Sequence, residues 1–241
     1  MNGEAAPKKA MVLAAGLGTR MRPITDRMPK PLVPVAGRAL IDWGLDSLAS
    51  AGVEEAVVNV HHHADQMIAH LAGRKYPRIV ISDERAQLLD SAGAIIRALP
   101  QIGSDPFFIL NADTFWIEGA TANLTHLAAQ WDPARMDFLL MIAVMSQAVG
   151  YGGRGDFVMD KEGLLARVPE LTMSPYVYAG VAIADPRLFE GEAVHPVSLN
   201  RFFDRAIAEG RLYGARMDGL WLTVGTPEAI GEAEHAIAAA R

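Results

Sequence analysis

Positions 13–23 read Leu-Ala-Ala-Gly-Leu-Gly-Thr-Arg-Met-Arg-Pro, directly after the apolar run 10–15, and positions 30–32 read Lys-Pro-Leu. These residue types suit the binding of phosphate. Ala14, Ala15 and Gly16 let a flat ligand approach the backbone, while Gly18, Thr19 and Arg20 supply N–H groups, a hydroxyl and a guanidinium to phosphate oxygens. Lys30, between Pro29 and Pro31, adds a second cation on a stiffened stretch of chain. A strand that runs into such a turn grips a nucleoside triphosphate through its backbone N–H groups. Two better-known phosphate loops fail on residue type. A Walker A loop needs Lys and then Ser or Thr after its last glycine, where Thr19 and Arg20 stand, and a dinucleotide fingerprint needs a third glycine at position 21, which is Met. Charge agrees with a small anionic ligand. The chain carries a net charge of −6, yet residues 17–30 hold Arg20, Arg22, Arg27 and Lys30 against only Asp26. A local positive field steers an anion without making the whole surface basic, and an acidic chain is a poor general nucleic-acid binder.

The stretch resembles the sugar-1-phosphate nucleotidyltransferases, whose motif is Leu-Ala-Ala-Gly-x-Gly-Thr-Arg-Met-x-Pro followed by a Lys-Pro-Leu block. The resemblance implies an NTP and a sugar 1-phosphate as substrates, Mg²⁺ as cofactor, Arg20 and Lys30 as catalytic residues, and Ala14 to Gly16, Gly18 and Thr19 as nucleotide-binding residues. It also implies that Asp113, in Asn111-Ala112-Asp113, binds the metal; on spacing alone, an Asp after a strand is an ordinary turn residue. The family's second metal Asp falls in Trp-x-Asp-x-Gly-Thr, where this chain has Thr223. A neutral hydroxyl is a weak Mg²⁺ ligand, so the ion is expected on Asp113, substrate phosphates and water, with Asp218 as the alternative acid. Residues 84–95 resemble the family's base-contacting segment, with Ser91 and Gly93 as further nucleotide contacts; read alone, Asp90-Ser91 caps a helix. By the same resemblance Asn59, Asn111, Tyr178 and Gly180 face the sugar, whereas Tyr178-Ala179-Gly180 read alone is an alternating strand with a bulge glycine. His61-His62-His63 is no zinc site, because adjacent side chains in a strand alternate faces and no Cys assists. It reads as a loop or sheet end. Thr226-Pro227-Glu228 reads as an N-cap, a first-turn Pro and a first-turn acid.

Alternating elements must position these residues. Strands are expected at 10–15, 56–60, 79–82, 107–110, 137–144, 157–159, 176–183 and 220–224, and helices at 40–51, 65–71, 94–99, 120–131 and 199–209. Pro100 is expected to end the third helix. The pattern predicts an α/β fold of Rossmann-like type, a mixed and mostly parallel sheet with helices on both faces and ligands at the carboxyl ends of strands. Half of the 241 residues are apolar, enough for one domain over 10–241, with 1–9 as a disordered tail. With no Cys, no signal peptide and no membrane-length apolar run, the expectation is a cytoplasmic protein without membrane partners.

The pattern Pro-Lys-Pro-Leu-Val-Pro-Val-Ala-Gly at 29–37, the Gly-Thr-Pro-Glu segment and the compact length without a β-helix extension are most similar to the family members that use UTP and N-acetylmuramate 1-phosphate in cell-wall recycling. GTP with mannose 1-phosphate is the alternative pair. Because Thr223 replaces an acid, a catalytically weak nucleotide-sugar sensor or partner subunit is the alternative of another class.

Overall fold

A computed structural model describes residues 6–240 of the chain. In chain order the first half comprises β1 (Lys9–Leu13), the short β2 (Pro34–Val35) and β3 (Arg38–Ala39), α1 (Leu40–Ser50), β4 (Glu55–Val60), α2 (Ala64–Leu71), β5 (Arg78–Asp83), α3 (Asp90–Ile102), β6 (Phe107–Asn111), β7 (Thr114–Glu118), α4 (Asn123–Gln130) and β8 (Phe138–Val144). The second half adds β9 (Ala148–Val149), β10 (Phe157–Met159), β11 (Leu165–Arg167), β12 (Tyr176–Ala184), α5 (Leu199–Ala208), β13 (Leu212–Arg216), β14 (Gly219–Thr223) and α6 (Pro227–Ala239).

The main sheet runs β5-β4-β1-β6-β12-β8-β13, with β10 and β11 joined to it at Tyr176. Its β5, β4, β1 and β6 are parallel, as the βαβ pattern requires, and β12 lies antiparallel to both β6 and β8. The period of two decides what each face buries. Ala10 and Val12 of β1 join a core with Ile41 and Leu45 of α1 and Met67 of α2, while Met11 joins the opposite core with Ile95 of α3 and Phe203 of α5. Each such large side chain contributes about 1.5–3 kcal/mol on burial. A third cluster, with Met21, Phe115, Leu222 and Ile237, packs the glycine loop against the β7/β14 ladder and α6. Among the described residues no helix is long and apolar enough to cross a membrane.

Several local expectations are corrected. Pro100 does not end α3, which continues to Ile102; that side chain is buried, so packing carries the helix past the missing N–H. The fourth helix starts at Asn123 rather than Ala120, because the Asp218 carboxylate accepts the N–H groups of Ala120 and Thr121 (2.6 and 3.1 Å) and holds them in a turn. Strands β2, β3, β7, β9, β11 and β13 are additional to the expected ones. Of the expected tail, residues 1–5 lie outside the described part. Within it Lys9 opens β1, and the Lys8 carbonyl accepts the N–H groups of Glu54 and Glu55.

Candidate active site

Strands β1 and β6 end side by side. Leu13 pairs with Asn111, and the Ala112 N–H donates to the Leu13 carbonyl at 3.1 Å, so the glycine loop and the Asn111–Asp113 turn leave the sheet at one edge. A cavity of about 480 Å³ opens there. Ala14, Ala15, Gly16, Lys30, Asn59, Ser91, Asn111 and Asp113 all line it, together with Asp90 and Pro196. Across it, Lys30 Nζ reaches Asp113 Oδ2 at 2.6 Å. Pro29 and Pro31 flank this lysine, which begins a single 3-10 turn and is 9% exposed.

The loop around Gly18 is tightly set. Gly18 adopts a left-handed conformation with φ of 62°, and a Cβ there would stand 2.9 Å from Thr25 Cγ2 and 3.0 Å from Lys30 Cβ. Its carbonyl accepts from the Met21 N–H and the Thr25 hydroxyl, each at 2.8 Å. By contrast a Cβ on Gly16 would meet open space, as a residue facing a ligand requires. Thr19 and Arg20 are exposed and, like Gly18, are not among the residues lining the cavity; a Cβ on Gly225 would stand 3.7 Å from the Arg20 guanidinium.

Asn59 and Glu84 brace the backbone behind the cavity. Asn59 Oδ1 accepts the Ala14 N–H at 2.6 Å, and its Nδ2 donates to Glu84 Oε1 at 2.9 Å. Glu84 is fully buried and its Oε2 accepts the Leu89 N–H at 3.2 Å. Burial pushes this carboxyl above its ordinary value, against the opposing pull of the Asn59 and Leu89 donors. The amide of Asn59 is thus committed to the protein's own backbone and to Glu84.

Ser91 and Gly93 hold a neighbouring segment. The Ser91 hydroxyl accepts the Leu199 N–H at 2.8 Å and faces Asp90 Oδ1 at 3.1 Å. Asp90 opens α3 with φ of 59°, and the Asp90-Ser91 pair does not form an ordinary side-chain N-cap. Gly93 lies below the cavity, where a Cβ would strike the His195 carbonyl at 2.3 Å. Its N–H and that of Ala92 donate to Val197 O.

The β12 side is shaped by a bulge. Register with β8 shifts between Tyr178 and Ala182, and Gly180 takes φ of 79°. A Cβ on Gly180 would stand 2.5 Å from Thr114 Oγ1 and 3.2 Å from Asn111 Cβ, so this strand supports Asn111 closely. The carbonyl of Ala179 accepts from the Trp221 indole (3.0 Å) and the Thr114 hydroxyl (3.2 Å), and Asp156 Oδ2 accepts the Tyr178 N–H at 2.9 Å. Tyr178 itself turns its ring onto Phe203, with the hydroxyl enclosed, unpartnered and raised in pKa by burial. The structure therefore brings Gly180 to Asn111 but does not bring the Tyr178 hydroxyl to the cavity.

Thr223 pairs with Thr114, and the Val224 N–H donates to the Asp113 carbonyl at 3.2 Å, so position 223 does reach the Asp113 turn. Asp218 lies at the other end of the same ladder, beside Glu118, and is committed to Ala120 and Thr121. It is excluded as the alternative metal acid. Among the described residues no three acidic, His or Cys side chains converge. Asp113 nevertheless offers a carboxylate with one oxygen on Lys30, and a hard cation that keeps its waters and bridges to substrate phosphates needs only one or two such groups. The donor set fits that mode. His61 and His62 bond to backbone carbonyls, and His63 adopts φ of 51° in the turn before α2, so the triplet is a sheet end. Thr226 takes the N-cap position before Pro227, without a side-chain bond to the helix backbone.

The sequence marks Trp221 only as part of the Trp-x-Asp-x-Gly-Thr segment and Asp156 only within Gly155-Asp156-Phe157, which resembles a segment of family members, and it assigns neither a bracing role; Thr25 it does not single out. A polar residue in a turn or at a strand edge names no partner by itself.

The family model for nucleotidyl transferases matches residues 9–240. The chain is 48% identical to the N-acetylmuramate alpha-1-phosphate uridylyltransferase of Caulobacter vibrioides over 98% of its own length and 99% of that protein. It is 35% identical to the enzyme of the same name from Neisseria meningitidis, over 94% and 96%. The mannose-1-phosphate guanyltransferase of Aspergillus fumigatus is 30% identical over 91% of this chain but only 61% of that protein. Among solved structures, a UDP-glucose pyrophosphorylase complexed with UDP-glucose superposes with a TM-score of 0.76 at 20% identity, covering 97% of this chain and 99% of that one. That likeness carries the fold alone. Members of the family work with a divalent cation. The chain belongs to the nucleotidyl transferase family, the sugar-1-phosphate nucleotidyltransferases that join an NTP to a sugar 1-phosphate and release pyrophosphate.

Proposed function

We propose that this enzyme transfers the uridylyl group of UTP to N-acetylmuramate 1-phosphate with Mg²⁺, as a single cytoplasmic domain spanning residues 10–241. The observation that carries the chemistry is the Lys30–Asp113 pair, 2.6 Å apart over the joined ends of β1 and β6. The similarity to two uridylyltransferases along nearly their whole length supports the choice of substrates.

An oxygen of the sugar phosphate attacks the α-phosphorus of UTP in line; the new P–O bond forms as the bond to pyrophosphate breaks. The nucleophile is already anionic at neutral pH, so no side chain has to remove a proton. The protein's work is positioning and charge neutralisation. The backbone from Ala14 to Thr19 and the Arg20 guanidinium bind the triphosphate, and Lys30 spans the phosphates. Ser91 and Gly93 serve the nucleotide side by holding the wall beside it. Asn59 braces Ala14, and Asn111, backed by Gly180 and the Tyr178 bulge, faces the sugar. Asp113 would hold Mg²⁺, which when bound neutralises phosphate charge.

The test is pyrophosphate release with Mg²⁺ across UTP, GTP, dTTP, ATP and CTP, each paired with N-acetylmuramate, N-acetylglucosamine, glucose and mannose 1-phosphates. The expected result is a clear preference for UTP with N-acetylmuramate 1-phosphate. A preference for GTP with mannose 1-phosphate, the second reading suggested by the guanyltransferase relative, would overturn the substrate assignment.

A further inference from the structure

The histidines after β4 and the buried Thr25 lie outside the reaction described above, yet they connect two walls of the cavity. His62 Nε2 donates to the Thr25 carbonyl at 2.8 Å. A carbonyl only accepts, so Nε2 carries the hydrogen, in the neutral ring and the imidazolium alike. Two residues after Thr25 and one helical turn after His62, the Gln66 side chain donates to the Arg27 carbonyl at 3.0 Å. The segment 25–27 is therefore stapled to the start of α2.

Thr25 passes that constraint to the glycine loop. It is 1% exposed, its hydroxyl donates to the Gly18 carbonyl at 2.8 Å, and its methyl group occupies the space that a Cβ on Gly18 would enter. On the same turn, His61 Nδ1 donates to the Glu84 carbonyl at 2.7 Å, and Glu84 and Asn59 in turn hold Leu89 and Ala14. Neither His62 nor Thr25 lines the cavity.

We infer that His62 and Thr25 are positioning residues for nucleotide binding, which fix the curvature of the glycine loop from outside the cavity. Backbone N–H groups bind phosphate only when the loop already points them inward, so loosening either contact lowers affinity without removing a donor. The inference rests on reading Gly16–Arg20 as the triphosphate grip.

Steady-state kinetics on Thr25→Val, Thr25→Ser, His62→Leu, His62→Gln, the double variant Thr25→Val/His62→Leu and the control Arg20→Ala test it, with thermal melts on each. Thr25→Val and His62→Leu are expected to raise KM for UTP about five- to tenfold while KM for the sugar phosphate stays within about twofold. Thr25→Ser and His62→Gln keep a donor or hydroxyl in place and regain most of the affinity. The double variant loses less than the product of the single losses, because both act on one segment. Variants that melt lower but keep KM for UTP within about twofold would overturn the inference and leave both residues merely structural. Should His62→Leu fail to fold, Thr25→Val against Thr25→Ser decides alone. If Arg20→Ala also keeps the wild-type KM for UTP, the reading of the loop falls together with the inference; if only Arg20→Ala raises it, the inference falls alone.

Discussion

The cavity's two sides are held by different means. Beside β1, β4 and β5, buried polar side chains hold the backbone: Asn59 binds Ala14, Glu84 binds Asn59 and Leu89, and Thr25 binds Gly18. Beside β12 and β14, backbone shape does the holding, through the Tyr178–Ala182 register shift, the left-handed Gly180 and the two donors on Ala179 O. Polar bracing fixes a loop of defined curvature, which suits a triphosphate common to every member of the family. A bulge can be re-aimed by small changes in packing, which suits the side where sugars differ.

Removing the residue that joins the two sides should have the largest effect. Lys30 starts in the glycine loop's neighbourhood and ends on Asp113. Lys30→Ala is expected to lower kcat by about 10²–10³-fold, the scale of losing a positioned charge aimed at developing phosphate charge. Melting should change little, since Asp113 is more than a third exposed and can hydrate once unpaired. Turnover near the wild-type value would make the ion pair structural.

Breaking the braced side is the next test. Glu84→Gln leaves one of the two N–H donors facing an amide NH2 instead of a carboxyl oxygen, and is expected to cost about 1–3 kcal/mol in chemical denaturation at acid pH. Because burial raises the folded-state pKa of Glu84, its stabilising contribution is complete below the ordinary value of 4.5 and is lost as pH rises through the raised value. The stability margin of wild type over Glu84→Gln should therefore shrink as pH rises through that window. A margin that widens would show that the N–H donors, rather than burial, dominate the ionisation.

On the bulged side, Gly180→Ala puts a Cβ 2.5 Å from Thr114 Oγ1 at a φ of 79°. It is expected to cost about 1–3 kcal/mol and to raise KM for the sugar phosphate. KM for UTP should stay unchanged. Equal effects on both substrates would erase the distinction between the sides.

How much was legible in the sequence follows the same division. The glycine loop and Lys30 stand out because contiguous residues with unusual chemistry form them, Asp113 stands out only through the family resemblance, and the parallel strands stand out as apolar runs. The brace of Asn59, Glu84 and Thr25 was hidden, because each partner lies 7 to 45 residues away and the bond depends on tertiary register. Asn59 is placed at the sugar only through the family resemblance; it lines the cavity, with its amide held by Ala14 and Glu84. The resemblance places Tyr178 at the sugar, whereas its residues alone read as a bulged strand, and beside the register shift its ring lies on Phe203. Pro100 and the start of α4 were misplaced because packing of Ile102 and capture by Asp218 outweigh local propensity.

Trp221→Phe is the mildest test of the bulged side. The substitution keeps an aromatic ring in a buried place but removes the indole N–H, leaving the Ala179 carbonyl with the Thr114 hydroxyl as its remaining donor. A carbonyl that keeps one of two partners loses about 1 kcal/mol, plus a little for the smaller ring. The effect on KM for the sugar phosphate should be a few-fold, in the direction of Gly180→Ala, while KM for UTP holds. Because Trp221 lies in β14, two residues before Thr223, a change that instead fell on the divalent-cation requirement would mean that β14 serves the Asp113 turn before it serves the bulge. The comparison would then need redrawing with β14 on the phosphate side.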